Sequence, residues 1–190
     1  MLNHYARVTH DVGATADFYC RILGMELAST IMDDSVPSTG DSFPYFHIFF
    51  RMGDGSTMAF FECTDLPLPS KSSHPAYDVF DHIALEVKDT NELLRWKDWL
   101  VSQNVDVLGP VDHKGIIQSI YFHDPNGLRL ELTTPIDPQW NRHHDQARKD
   151  LELWLNAKNE AKAKGQNLTE AMVDFIRRVK AERYEGKSGH

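Results

Sequence analysis

Residues 4–11, HYARVTHD, and residues 82–89, HIALEVKD, decide the fold of this chain. In each stretch a histidine opens an alternating apolar run, and an aspartate seven positions later precedes a helical pattern. Alternation sends every second side chain of a strand to the same face, so each stretch predicts a half-buried strand that leads into a helix. An aspartate at that point caps the free N–H groups of the first helical turn. The chain therefore contains the same strand-to-helix unit twice.

Further strands complete each unit. In the first copy, FHIFFRM (46–52) and STMAFFEC (56–63) flank Gly53-Asp54-Gly55, a strong hairpin signal. In the second copy, GIIQSIYF (115–122) and LRLELTT (128–134) are joined through the turn sequence Asp-Pro-Asn-Gly. With one shorter strand after each helix, the order β-α-β-β-β occurs twice.

Composition divides the chain into segments. We predict a first module at 1–66, a linker rich in proline and serine at 67–79, a second module at 80–135 and a helical extension at 136–190. In the extension, Gly165 separates two stretches of helix formers. The second stretch carries an apolar stripe at helical spacing, formed by Leu168, Met172, Phe175, Ile176 and Val179. Such a stripe predicts packing on the domain body or on a second subunit.

Charge and hydropathy exclude several classes of function. The net charge of −8 argues against a nucleic-acid binder or an anionic-membrane binder, both of which need a basic face. No apolar stretch approaches the roughly 18 residues of a membrane span, and the N-terminus lacks the pattern of a secretory signal. Cys20 and Cys63 suit two free thiols in a reducing compartment. We expect a cytoplasmic protein that acts on a small molecule.

Each of the two histidines is followed by a glutamate near the end of its module. Glu62 closes the apolar run MAFFE, and Glu131 closes LRLE. A carboxylate turned inward in such a run is costly unless it is paired or bound to a metal. We therefore predict one divalent metal between the modules, held by His4, Glu62, His82 and Glu131. The alternatives are two histidines packed in the core and two glutamates that point outward, which strand alternation also permits.

Three segments carry a resemblance to a known family: FYCRILGMEL (18–27), DHIALEV (81–87) and YFHDPNGLRLELT (121–133). Together they resemble the vicinal oxygen chelate superfamily, which includes glyoxalase I, methylmalonyl-CoA epimerase, extradiol dioxygenases and bleomycin- or fosfomycin-resistance proteins. The resemblance covers about residues 1–135. It implies an α+β fold in which paired βαβββ modules form a half-open, cup-shaped mixed β-sheet around a metal, with the C-terminal helices as an extension. It also implies a homodimer and the same four ligands.

The second module bears a further resemblance, to the extradiol dioxygenase signature. Val111-Asp112-His113, the later Tyr121, Asp124-Pro125, Gly127 and Glu131 match it throughout. This resemblance implies Fe²⁺ held by His4, His82 and Glu131, activating O₂ beside a bound aromatic diol. It gives His113 and Tyr121 catalytic places beside the iron. Without the motif, they would be a turn histidine and a packed strand tyrosine.

The role of Glu62 decides between the possible activities. A four-ligand set resembles that of glyoxalase I-like lyases, in which Ni²⁺, Zn²⁺ or Mn²⁺ binds an enediolate and a glutamate such as Glu62 moves the proton. Extradiol enzymes usually have an acid–base histidine at about this place, a role that His47 or His123 would fill here. A non-catalytic resistance-type binding protein is the third possibility. The longer local motif favours the dioxygenase.

Overall fold

The chain divides into two compact units, Met1–Asp137 and Pro138–His190. A computed structural model describes residues 2–68 and 73–184. Each unit is described by itself.

The first module forms a four-stranded mixed sheet, called sheet 1. Its strand order is β1-β4-β3-β2, with β1 parallel to β4 and the other neighbours antiparallel. Its helix, α1, runs on into a π-helical segment between β1 and β2. The bounds are β1 His4–Thr9, α1 Val12–Ala16, the π-helical segment Asp17–Ile22, β2 Glu26–Asp33, β3 Tyr45–Arg51 and β4 Thr57–Cys63.

The second module repeats this pattern in sheet 2, with the order β5-β8-β7-β6 and β5 parallel to β8. A short helix, α2, precedes it in the segment predicted as a linker, of which residues 69–72 lie outside the described residues. The bounds are α2 Pro75–Phe80, β5 Ile83–Glu86, α3 Thr90–Ser102, β6 Leu108–Asp112, β7 Ile117–His123 and β8 Arg129–Pro135. The predicted α+β fold of tandem βαβββ modules with open mixed sheets is confirmed.

The two repeated aspartates begin the two helices. The side chain of Asp11 accepts from the N–H of Ala14, and that of Asp89 accepts from the N–H of Glu92. The Glu92 carboxylate in turn accepts from the N–H of Lys88 at 2.7 Å. This reciprocal pair is a capping box, and it satisfies backbone donors that a helix start leaves free.

Both modules share one hydrophobic core, which lies between the two sheets. The π-helical segment contacts both: the Tyr19 ring stacks on Phe50 of sheet 1 at 5.2 Å, and the Phe18 ring lies 6.3 Å from Phe122 of sheet 2. From α3, the indole N–H of Trp99 donates to the carbonyl of Ile22 at 2.8 Å. The helices therefore lie between the sheets, and each sheet has an inner face on the core and an outer face directed away from it. The buried core residues include Ile48, Met58 and Phe60 from sheet 1 and Ile120, Leu130 and Leu132 from sheet 2.

Buried polar groups also join the modules. The Thr9 hydroxyl lies 2.8 Å from the Thr15 hydroxyl and 2.8 Å from the side-chain oxygen of Asn126, in the β7–β8 turn. The Tyr19 hydroxyl donates to the Asp124 carboxylate at 3.1 Å. Each of these side chains finds a partner across the module boundary, as buried polar groups require.

The second unit contains two helices, α4 (His144–Ala163) and α5 (Leu168–Tyr184), which pack on each other. Gly165, with φ +63°, ends α4 in the left-handed conformation that glycine adopts without steric cost. The Trp154 and Phe175 rings meet edge to face at 6.2 Å. The C-terminal helical extension is thereby confirmed as helical. None of the helices among the described residues is long and apolar enough to cross a membrane.

Candidate metal centre

Most of the predicted site residues lie on the outer faces of the two sheets. Because paired Cα positions share a face, alternation gives the members of each face. We call them outer face 1, formed by His4, His47, Phe49, Ala59 and Phe61, and outer face 2, formed by His82, Tyr121, Arg129 and Glu131.

Outer face 2 brings His82 and Glu131 together. The Nε2 atom of His82 lies 2.6 Å from Oε2 of Glu131. Its Nδ1 atom lies 2.7 Å from the carbonyl oxygen of Phe80, which can only accept, so the ring hydrogen is on Nδ1. Nε2 is therefore the ring nitrogen that faces the Glu131 carboxylate.

Glu131 itself has an unusual environment. Its side chain is buried, and its second oxygen, Oε1, has no hydrogen-bond partner among the described residues. A buried carboxylate oxygen without a partner is unfavourable in a purely structural role. An imidazole nitrogen beside it completes a donor pair suited to a divalent transition metal.

Tyr121 lies beside His82, and His113 lies beside Tyr121. The Tyr121 hydroxyl is 2.8 Å from Nε2 of His113, and its ring meets the His82 ring edge to face at 5.8 Å. Burial raises the pKa of the Tyr121 hydroxyl, and the negative charge of Glu131 raises it further. Tyr121 is therefore a protonated donor at neutral pH. The structure thus brings together His82, Glu131, Tyr121 and His113, as the sequence predicts.

Outer face 1 is aromatic in character. The Nδ1 atom of His4 lies 2.6 Å from the side-chain oxygen of Asn3, and its ring meets Phe49 edge to face at 6.0 Å. His47 lies between Phe61 and Phe49, at 3.5 Å and 4.0 Å between ring centroids. It is 7% exposed, and its Nε2 has no hydrogen-bond partner among the described residues. Burial lowers the pKa of His47, with a smaller contribution from His4, so the ring is neutral.

Glu62 is not on outer face 1. It alternates with Phe61 and shares the inner side of β4 with Phe60, and its Oε2 accepts from the N–H of Val12 at 3.3 Å. A carboxylate there satisfies a free donor at the start of α1 and lies at the positive end of the helix dipole. The structure therefore places Glu62 at a helix start, apart from the face that carries His4.

The strand register explains this placement. Ala84 pairs with Glu131 in the second module, and the equivalent Ala6 pairs with Ala59 in the first. Ala59 is therefore the counterpart of Glu131, and Glu62 lies three residues further along. An odd offset along a strand reverses the face. The sequence prediction aligned the two carboxylates by the ends of their apolar runs, which do not report the strand pairing.

His4 and His82 do not converge within one chain. The shared core and the helices of both modules lie between the two outer faces. Within residues 2–68 and 73–184, no group of three or more His, Cys, Asp or Glu side chains is placed to hold a metal ion. The sequence predicts a site between the modules, but repeat patterns do not report which faces of the two sheets meet.

Sequence reasoning also missed Arg129. Its guanidinium carbon lies 4.2 Å from the centroid of the Tyr121 ring. The same side chain lines a pocket of about 530 Å³ together with Tyr121, Leu108 and the exposed His123. Alternation was the available signal, because Arg129 is two residues from Glu131 and so shares its face.

The sequence profile of the Glyoxalase/Bleomycin resistance protein/Dioxygenase superfamily matches residues 1–132. The chain belongs to this superfamily. A curated relative from Bacillus subtilis (strain 168), "Putative ring-cleaving dioxygenase MhqA", is 26% identical over 137 residues, which is 70% of this chain and 39% of the relative. The chain thus spans about two-fifths of that protein's length.

Solved structures of superfamily proteins share the fold. A glyoxalase/dioxygenase from Nostoc punctiforme matches with a TM-score of 0.52 and 24% identity, over 71% of this chain and 90% of that one. A point mutant of the fosfomycin resistance protein FosX from Listeria monocytogenes matches with a TM-score of 0.50 and 19% identity, over 70% and 90%. That FosX structure contains Mn(II) and 1S,2S-dihydroxypropylphosphonic acid.

Proposed function

We propose that this protein is an Fe²⁺-dependent dioxygenase of the extradiol type that acts on a catechol-like small molecule. The observation that carries the proposal is that the first module has no carboxylate at the position equivalent to Glu131. Face 2 offers Glu131, whereas face 1 has Ala59 at the corresponding position. Two imidazoles and one carboxylate form the set that non-haem Fe²⁺ oxygenases use, because it leaves positions open for substrate and O₂.

His4, His82 and Glu131 are the proposed ligands. In both histidines Nδ1 is occupied by an oxygen, from Asn3 or Phe80, so Nε2 is the nitrogen available to a metal. Such partners orient a ligand ring and fix its tautomer. The Oε1 atom of buried Glu131, which has no partner in residues 2–68 and 73–184, fits the role of a metal ligand. When bound, the iron activates O₂ and the diol towards each other.

The proposed site is completed by a second copy of the chain. His4 faces away from His82 in one chain, so a twofold-symmetric pair that brings face 1 of each chain onto face 2 of the other forms two sites. Both outer surfaces expose apolar side chains that such contact would cover, with Val8 44% and Ile31 48% exposed on sheet 1 and Leu108 62% exposed on sheet 2. The predicted homodimer is thereby part of the proposed mechanism.

The remaining residues hold and move protons. Tyr121 is kept protonated by burial and donates a hydrogen bond at the site, while His113 holds its hydroxyl in place. On face 1, His47 is neutral and its Nε2 has no partner within the described part of the chain, so it accepts a proton from a diol hydroxyl. The half-buried rings of Phe49 and Phe61 beside it limit the access of water.

The glyoxalase I-like isomerase is the less favoured alternative. Its usual four-ligand set needs a second carboxylate on face 1, and Glu62 is instead bonded to the start of α1 on the inner side of β4. The similarity to the MhqA protein also supports ring cleavage, although it covers 39% of that protein.

The test is anaerobic loading of the purified protein with Fe²⁺, followed by oxygen-electrode assays with a panel of catechols. Oxygen uptake with a yellow ring-cleavage product is expected. Turnover of a hemithioacetal with Ni²⁺ or Zn²⁺ and no oxygen uptake would establish the isomerase instead. Binding of a small molecule without turnover or metal dependence would establish a binding protein.

A complementation experiment tests the shared site. H4A and H82A chains should each be inactive alone. After co-refolding at equal amounts, half of the dimers are mixed and each mixed dimer has one intact site, so about a quarter of the wild-type activity should return. If mixing restores nothing while both variants fold and dimerise, the site does not combine His4 and His82 from different chains.

A further inference from the structure

An arginine of sheet 2 is hydrogen-bonded to the segment that leads into His82. Helix α2 ends at Phe80 and buries none of its residues, and Tyr77, Val79 and Phe80 are all more than half exposed. Packing therefore contributes little to holding this segment. A hydrogen bond from Nη1 of Arg129, on β8, to the carbonyl of Val79 connects its last turn to the sheet.

The Val79 carbonyl lies one residue before the Phe80 carbonyl, which is hydrogen-bonded to the proposed metal ligand His82. The carbonyl of Phe80, which follows Val79, accepts the Nδ1 hydrogen of His82 at 2.7 Å. The position of that carbonyl sets the ring orientation of His82 and directs Nε2 towards Glu131. Because only the φ and ψ angles of Phe80 lie between the two carbonyls, holding the Val79 carbonyl narrows the range of positions open to the next one.

The guanidinium of Arg129 also contacts the ring of Tyr121. Its carbon atom lies 4.2 Å from the ring centroid, within the range of a cation–π contact. Arg129 is itself two residues from Glu131 on the same strand. One side chain therefore contacts Tyr121 directly and is linked to His82 through the successive carbonyls of Val79 and Phe80.

We propose that Arg129 is a positioning residue for the metal centre, which orients His82 through the Val79–Phe80 segment and holds the Tyr121 ring. The inference rests on the proposed function of outer face 2 as a metal site. Arg129 binds no metal and takes no part in proton transfer. Its contribution is the orientation of a ligand before the metal arrives.

The test compares R129M, R129K and the control R95M, which removes an exposed arginine of α3. Zn²⁺ affinity is measured by competition with a chromophoric chelator, and the visible spectrum of the Co²⁺ form reports the ligand geometry. R129M should weaken Zn²⁺ binding by about 10- to 100-fold, the usual effect of losing an outer-shell partner, and should alter the Co²⁺ spectrum. R129K keeps a donor for the Val79 carbonyl and should stay within about threefold of wild type. R95M should match wild type.

The outcomes separate the two proposals. If the wild type binds no divalent metal, the proposed function fails and this inference with it. If the wild type binds Zn²⁺ and R129M binds equally well, Arg129 is not a positioning residue, while the proposed function stands. A lower melting temperature of R129M with unchanged Zn²⁺ affinity would show a merely structural role and overturn the inference. Should R129M not fold, R129A, which also lacks a donor for the Val79 carbonyl, is measured in its place with the same expectation.

Discussion

Outer faces 1 and 2 differ in chemistry although the strands beneath them follow the same plan. Both sheets have the same strand order, and both pair their first strand in parallel with their last. Face 2 gathers a carboxylate, a phenol and a guanidinium around His82, whereas face 1 surrounds His4 and His47 with phenylalanines. A repeated framework therefore preserves backbone positions, and the side chains on each copy are free to take separate roles.

The two glutamates make the contrast most clearly. Glu131 is buried on an outer face beside an imidazole, and Glu62 accepts from a helix N–H on an inner face. The two residues close similar apolar runs in the sequence, but an offset of three positions in the strand register puts them on opposite sides of their sheets. The face, and not the residue type, decides the role of each.

The largest expected effect is on metal binding. E131Q should lower Zn²⁺ or Fe²⁺ affinity by more than about 100-fold, because losing a ligand exceeds the loss from an outer-shell partner. E62Q, the matched change in the other module, should leave affinity within about twofold. Titration calorimetry on both variants measures this. An equal loss in E62Q would erase the contrast between the faces and favour a four-ligand isomerase.

The second effect concerns proton transfer from face 1. H47N should reduce kcat by about 100-fold or more with metal affinity unchanged, since a positioned general base contributes about 10²- to 10⁴-fold. H123N, which changes an exposed histidine beside the pocket of face 2, is the control and should remain near wild type. The opposite pattern would assign proton transfer to face 2.

The third effect concerns the core that separates the faces. Y19F removes the bond from the Tyr19 hydroxyl to Asp124 and should lower the free energy of unfolding at pH 7 by about 1–2 kcal/mol. Burial, and then the charge of Asp124, raises the pKa of Tyr19 above its ordinary value of 10.0. The folded state holds this proton more tightly, so the associated stability is complete below pH 10.0 and is lost as pH rises above it.

Urea unfolding from pH 7 to 11 measures both parts of this prediction. The wild type should lose stability above the ordinary tyrosine pKa more steeply than Y19F. Parallel curves for the two proteins would show that Tyr19 does not couple the modules through its proton.

The smallest expected effect is structural and belongs to Glu62. Because its carboxylate lies at the start of α1, E62Q should lower the free energy of unfolding by about 0.5–1 kcal/mol, the usual size of a helix-terminus charge effect. Urea unfolding at low and high salt measures it, and added salt should reduce the difference. If E62Q is as stable as wild type at low salt, Glu62 does not stabilise the start of α1.

The sequence predicts the modules well because local rules decide them. Asp11 and Asp89 mark helix starts, and the turn at Asp124 marks a hairpin, through contacts within a few residues. The gathering of His82, Tyr121 and Glu131 is also predictable, since alternation and hairpin pairing lie within one module. The family follows from the same motifs, and its prediction is confirmed by the match over residues 1–132.

Other features of the site cannot be predicted from local sequence patterns. The face of sheet 1 on which Glu62 lies depends on the parallel pairing of β1 with β4, which are more than forty residues apart in the sequence. The contact of Arg129 with Val79 depends on which side chains surround it in space, and so does the lack of a partner for Nε2 of His47 among the described residues. None of these leaves a periodic signal in the sequence.

By itself, the sequence determined two βαβββ modules, their helix starts, the C-terminal helices and the polar cluster of the second module. Only the tertiary structure decided that both inner faces share one core and that the two outer faces are directed away from each other. Periodicity reports which side chains share a face, because it depends on backbone geometry alone. Which faces meet depends on packing between distant segments, where Phe18, Tyr19 and Trp99 fill the space between the sheets.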